Sequence, residues 1–247
     1  MKKFLLILLS IMLIGCGTKT ESHDESKEDI NKEEESEMSE TTQVVDEEKS
    51  EEIPAEILDF EDFNSIHVII NKKHELPEDY EPEDLVEPEV KKIRESCPMR
   101  EEAAQALKEM FEAAAKDGLD LMLVSGYRSY SYQKGLFDNY VARDGEEAAN
   151  RYSARPGQSE HQTGLAADLG TSDQACLLMG CFKDTEAGKW LAENSYLFGF
   201  VLRYPEEKEE VTGYIYEPWH FRYIGLEQAY LVHESGLTLE EYYDYMD

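Results

Sequence analysis

Two short segments, set far apart in the chain, hold the side chains that most restrict how it can fold. One runs from Gln158 to Asp168 and contains His161; the other runs from Tyr216 to Arg222 and contains Glu217 and His220. The 247-residue chain has only six histidines, and two of them sit here. Two imidazoles and one carboxylate make a three-ligand Zn2+ site with the fourth position open to water. Asp168 is the natural carboxylate, because Gly164 and the small Ala166 and Ala167 let the chain turn closely back after His161. Glu217 then stands beside His220 without a structural task, placed to accept the proton of a zinc-bound water. The spacing also dictates a shape. Pro218 breaks a helix interior, and on a regular strand positions i and i+3 face opposite sides. The chain therefore has to kink at Pro218 to bring Glu217 and His220 to one metal. That is a different scaffold from a helix carrying HExxH.

A third segment, Ser125 to Ser129, carries Arg128, and Gln133 follows on the next helix. Each of these residues has an ordinary reading when taken alone. Either histidine reads as a satisfied core residue, Asp168 as a turn cap, Glu217 as a strand-edge charge and Arg128 as the partner of one of many acids. Their coincidence favours the metal site. One exchange stays open, in which Glu217 ligates the metal and Asp168 is the base.

The chain has 24 basic and 55 acidic residues, a formal charge of −31, which argues against a nucleic-acid partner because phosphate neutralisation needs a basic face. The charge is unevenly spread. Residues 1–15 begin with Lys2 and Lys3, continue as an apolar run from Phe4 to Ile14 and end just before Cys16. The run is short for a membrane span. Leu13-Ile14-Gly15-Cys16 resembles the lipobox of bacterial lipoproteins, which implies cleavage before Cys16, a lipid anchor on that thiol and an extracytoplasmic location at the cell membrane. Residues 16–56 are low-complexity, and residues 17–56 hold 16 acids against 4 bases with no aromatic residue. Such a stretch cannot bury enough apolar surface to offset its ordering entropy, and it reads as a disordered tether. Forty coil residues reach on the order of 35 Å.

Residues 57–247 read as the folded domain. Helical spacing of Ala103, Leu107, Met110, Phe111 and Ala114 predicts a helix over Met99 to Lys116, ended by Gly118. Tyr130 to Val141, Thr185 to Asn194 and Leu226 to Met246 read as further helices, the last broken near Gly236. Ser65 to Ile70, Leu119 to Val124, Leu165 to Leu169, Leu197 to Leu202, Tyr214 to Tyr216 and His220 to Tyr223 read as strands. Helices and strands mix without a βαβ rhythm, which favours α+β. Outside a reducing compartment, Cys176 and Cys181 are spaced for a disulfide, and Cys97 is expected as a buried free thiol.

At these residues the sequence resembles the VanY-type metallo-carboxypeptidases, peptidase family M15B, relatives of the vancomycin-resistance D,D-carboxypeptidases and of L,D-carboxypeptidases of cell-wall turnover. His161-x6-Asp168, Glu217-x2-His220, the Ser125 to Ser129 segment and Asn71 to Pro77 carry the resemblance, which covers roughly Ile66 to Gly225. It implies the Hedgehog/D,D-peptidase-like fold: a small antiparallel sheet flanked by helices, with zinc in a cleft at the sheet. It implies His161, Asp168 and His220 as zinc ligands, Glu217 as general base and then acid, and Arg128 as the cation that holds substrate or the oxyanion. Gln133, Ser159 and Tyr204 match positions lining the peptide pocket. The implied activity is removal of the terminal D-Ala from peptidoglycan stem peptides by a monomer. The alternatives are an L,D-carboxypeptidase trimming tetrapeptide stems, or a non-catalytic cell-wall-binding lipoprotein that has no need of Glu217. A stem peptide ends in a carboxylate while residues 57–247 carry −21. Zinc and Arg128, with Arg203 or Arg222, then have to provide a positive pocket.

Overall fold

The computed structural model describes residues 58–245, which lie within one compact unit, Pro54–Asp247. The expected leader over 1–15, the tether over 16–56 and the lipid-acceptor Cys16 lie outside the described residues. A two-residue antiparallel pair, β1 (Leu85–Val86) with β2 (Met99–Arg100), leads into α1 (Glu101–Lys116). Acids in its first turn and Lys116 in its last complement the helix dipole. Ala103, Leu107, Met110 and Ala114 recur at helical spacing and are buried. The helix gives way at Gly118, whose φ of +83° suits glycine.

The chain continues through β3 (Leu121–Ser125), α2 (Tyr130–Asp144, capped by the Ser129 hydroxyl), α3 (Glu146–Tyr152), β4 (Ala166–Thr171) and α4 (Glu186–Asn194, capped by Thr185). Then come β5 (Phe200–Leu202), α5 (Glu209–Thr212), β6 (His220–Tyr223), α6 (Leu226–Ser235) and α7 (Leu239–Tyr242). The main sheet is antiparallel throughout, in the order β3-β4-β6-β5. Its residues alternate between two faces. Ala167 and Leu169 on β4, with Phe221 and Tyr223 on β6, join the core formed with the buried stripe of α1. The opposite face presents Ala166 and Asp168 across from Arg222 and His220. One face thus holds the fold and the other carries the chemistry.

This is the expected α+β class, with local corrections: Met99 belongs to β2 and not to the first helix, Leu197 and Phe198 form part of a 3-10 turn before β5, and two expected strands are absent among the described residues. Ser65 to Ile70 is buried at its apolar end but is not a strand. Its carbonyls at Ile66 and Val68 accept from the Arg222 guanidinium at 3.0 and 2.7 Å, so a buried cation takes the place of a ladder. Tyr214 to Tyr216 is irregular as well; Tyr214 N–H bonds the Thr212 hydroxyl and Ile215 N–H the Arg151 carbonyl. The Cys176–Cys181 disulfide is present, and Cys97 is buried and free.

Candidate metal centre and active site

His161 lies in a 3-10 turn, Glu160–Thr163, that hands the chain to β4. Gly164 makes the exchange at φ +71°, where a Cβ would press on Leu85 and the Arg100 backbone. His161 Nδ1 donates to the Gly126 carbonyl at 2.7 Å, which fixes the tautomer and turns Nε2 toward the cleft. Gly126 reaches that position because it lacks a side chain: a Cβ would stand 2.4 Å from the Pro98 carbonyl oxygen.

Asp168 on β4 pairs directly with His220 on β6, and directly opposed residues share a face. His220 Nδ1 lies 3.1 Å from Asp168 Oδ1, and His161 Nε2 lies 3.2 Å from Asp168 Oδ2. The two imidazoles are nearly perpendicular, with centroids 4.9 Å apart. One candidate ligand atom from each of the three residues lies within 4.8 Å of the other two.

Glu217 arrives by the kink that the sequence demands. His220 N–H donates to the Glu217 carbonyl at 3.1 Å, closing a four-residue turn with Pro218 in its second position, where proline's fixed φ fits. The turn sets Glu217 Oε2 3.7 Å from His220 Nδ1. Positions i and i+3 meet because the chain turns there instead of running as a strand.

Their surroundings drive the pKa values of the two carboxyls apart. Burial raises the Glu217 carboxyl to about 7, with nearby Asp168 pushing the same way. Burial also opposes ionisation of Asp168, but the His161 and His220 imidazoles outweigh it and hold its carboxyl well below the usual range. Burial and the Arg128 guanidinium push His161 down to about 4, so its imidazole is neutral at neutral pH. For His220 burial is overcome by the hydrogen bond to Asp168 and the nearby carboxylate of Glu160, and its pKa rises to about 9. Two buried imidazoles and a carboxylate, with His161 Nε2 making no hydrogen bond, fit the donor set of a catalytic zinc site.

These groups open onto a cavity of about 300 Å3 that Arg128, Gln133, Ser159 and Tyr204 also line. The structure thus brings His161, Asp168, His220, Glu217, Arg128, Gln133, Ser159 and Tyr204 to one cavity. Arg128 is half-buried and its Nε has no hydrogen-bond partner. Gln133 donates to the Ala154 carbonyl at 2.7 Å and keeps Oε1 unpartnered. The Tyr204 ring lies 4.8 Å from that of His220, and burial holds its hydroxyl protonated. Arg203 and Arg222 do not supply the positive pocket expected of them. Both are fully buried and both donate to Glu160 Oε1 at 2.8 Å. Leu178, Tyr214 and Trp219 join the lining; nothing in their spacing marks them in the sequence. A larger cavity of about 580 Å3 lies between α1 and the Glu87 to Glu89 segment, but it holds none of these groups.

Residues 96–226 match the family model of VanY, D-alanyl-D-alanine carboxypeptidase. YodJ of Bacillus subtilis (strain 168) is 48% identical over 185 residues, covering 73% of this chain and 67% of that protein. Among solved structures, the LdcB LD-carboxypeptidase is 46% identical with a TM-score of 0.70, covering 75% of this chain and 88% of that one. A mutant of the vancomycin-resistance D,D-pentapeptidase VanY, from the VanB-type cassette and in complex with Zn(II), is 34% identical with a TM-score of 0.60. It covers 72% of this chain and 98% of that one.

Proposed function

The chain belongs to the VanY D-alanyl-D-alanine carboxypeptidase family, and from that premise we propose that it is a zinc D,D-carboxypeptidase removing the terminal D-Ala of peptidoglycan stem peptides. One observation carries the reading: a buried His-Asp-His cluster with a fourth group, the elevated carboxyl of Glu217, beside it on the same cavity. His161 through Nε2, Asp168 through its carboxylate and His220 through Nδ1 would hold the metal. When bound there, zinc supplies a Lewis acid that makes water a nucleophile at neutral pH and polarises the scissile carbonyl. Glu217 takes a proton from the attacking water at its carboxylate and returns it to the departing D-Ala amine. The Arg128 guanidinium supplies positive charge for the substrate carboxylate or the developing oxyanion. Gln133, Ser159 and Tyr204 position the peptide. The water's elements end on the two products, a shortened stem and free D-Ala.

A second reading has its own support. LdcB is an LD-carboxypeptidase and is more similar to this chain than the zinc-bound VanY structure. The same groups then cut the terminal D-Ala of a tetrapeptide stem. Incubating the Ile57 to Asp247 domain with pentapeptide and tetrapeptide muropeptides and weighing the products separates the two. Cleavage of neither substrate leaves the wall-binding alternative. The reading extends to place: a monomer held on the extracytoplasmic face of the cell membrane by lipid on Cys16.

A further inference from the structure

Glu160 precedes a proposed metal ligand in the chain, yet its side chain is fully buried and approaches the ring nitrogen of His220 that Asp168 does not. Its Oε1 accepts from Arg203 Nε and Arg222 Nη1, each at 2.8 Å. Arg203 is clamped in turn by Glu240, at 2.9 and 2.6 Å. Arg222 is fixed by the carbonyls of Ile66, Val68 and Tyr223. The carboxylate is therefore immobilised from behind, and its second oxygen is left over. Oε2 makes no hydrogen bond, and 3.8 Å away stands His220 Nε2, also buried and also without one. Two complementary buried groups face each other just beyond bonding distance.

An imidazole has two nitrogens. If Nδ1 of His220 gives its lone pair to a metal, Nε2 carries the proton and needs an acceptor. Among the described residues, the side-chain oxygen facing it is Glu160 Oε2. We infer that Glu160 is a positioning residue for the metal centre: it accepts the Nε2 proton of His220, fixes that ring's tautomer and plane, and presents Nδ1 to the metal. The inference rests on the reading of His220 as a ligand. The guanidinium of Arg203 and that of Arg222 act at one further remove, by holding the acceptor still.

A purely structural role for Glu160, neutralising Arg203 and Arg222, is the competing account, and Glu240 provides the control. Glu160→Gln and Glu240→Gln each deprive Arg203 of a carboxylate, but only the first changes the group facing His220. An amide cannot replace the carboxylate. One orientation sets its NH2 against His220 N–H, and the other sets it against two guanidiniums. Zinc affinity is measured by competition with a chelator, alongside thermal stability, on the full chain. Glu160→Gln is expected to bind zinc about 10–100-fold more weakly than wild type, and Glu240→Gln to bind it unchanged whatever its loss of stability. Equal losses of affinity in both variants would overturn the inference. If Glu160→Gln does not fold, 15N-histidine NMR of zinc-loaded wild type decides. An Nε2–H of His220 sheltered from solvent exchange supports the inference, and an unprotonated or freely exchanging Nε2 overturns it. Retention of wild-type zinc affinity in His220→Ala would instead sink the ligand reading beneath it, a distinguishable result.

Discussion

Asp168 and Glu217 both lie within reach of His220, but only Asp168 sits between two imidazoles, and on that difference we propose Asp168 as the ligand and Glu217 as the base. Glu217→Gln is expected to lower turnover by at least ~10²–10⁴-fold, the usual worth of a positioned base, with zinc content kept. The amide is nearly isosteric but takes no proton. Metal analysis checks the second half: loss of zinc in Glu217→Gln with retention in Asp168→Asn would exchange the two roles. The acid limb of activity follows from the same carboxyl. Burial raises it from 4.5 to about 7, and a neighbouring divalent cation draws it back down. A base works only when deprotonated, so activity should fall as pH drops through that value. The limb of kcat/KM is expected between 4.5 and about 7, and a limb below 4.5 would show that burial does not control this group. At this scale the sequence was most readable, since histidines are few and their chemistry is narrow. Glu160 was not readable: its partners Arg203, Arg222 and Glu240 come from distant elements, and a glutamate in so acidic a chain carries no signal of its own.

Among the elements, the longer helices show in their apolar spacing, and α1 follows its pattern from Ala103 to Ala114, whereas the short α3 and α5 offer too few apolar positions to be read. Short buried stretches were harder. Ser65 to Ile70 has strand-like composition, but its carbonyls go to Arg222, a partner that no local pattern reveals. The turn at Pro218 was legible for the opposite reason, because two functional side chains at i and i+3 leave the backbone no regular option. The loop between β4 and α4 contributes differently. Gln174, Cys176 and Leu178 all adopt positive φ, which costs a non-glycine residue about 1 kcal/mol or more each. The Cys176–Cys181 bond holds that conformation and with it Leu178, which lines the cavity beside Arg128 and Glu217. Replacing both cysteines with serine is expected to raise KM several-fold, of the order of about 1 kcal/mol of lost packing on substrate, while kcat and zinc content stay near wild type. Steady-state kinetics on a muropeptide checks this; a fall in kcat at constant KM would place the loop's effect on the metal centre.

On the scale of the whole molecule, charge works against the proposed substrate. A field of −31 formal charges repels a peptide that ends in a carboxylate. Salt screens that repulsion over a Debye length of about 8–10 Å at moderate ionic strength. The association-limited part of kcat/KM is therefore expected to rise as salt is added, the reverse of a steered enzyme; a fall would mean that the local field of the metal and Arg128 dominates the approach. Membrane attachment belongs to this scale too. Cys16→Ser is expected to move the protein out of the membrane fraction or leave it as a larger precursor, and unchanged fractionation and size would remove the anchor. One feature of the sheet bears on how such a chain matures. Asp168 and His220 face each other only because β6, last of the four strands in sequence, pairs with β4 at the centre of the sheet. A chain emerging from its N-terminus displays His161 and Asp168 long before their third companion exists. With His161, Asp168 and His220 as the proposed ligands, half-made molecules offer only two and grip the ion weakly, so on this reading occupancy by zinc becomes a certificate that the final rung has closed.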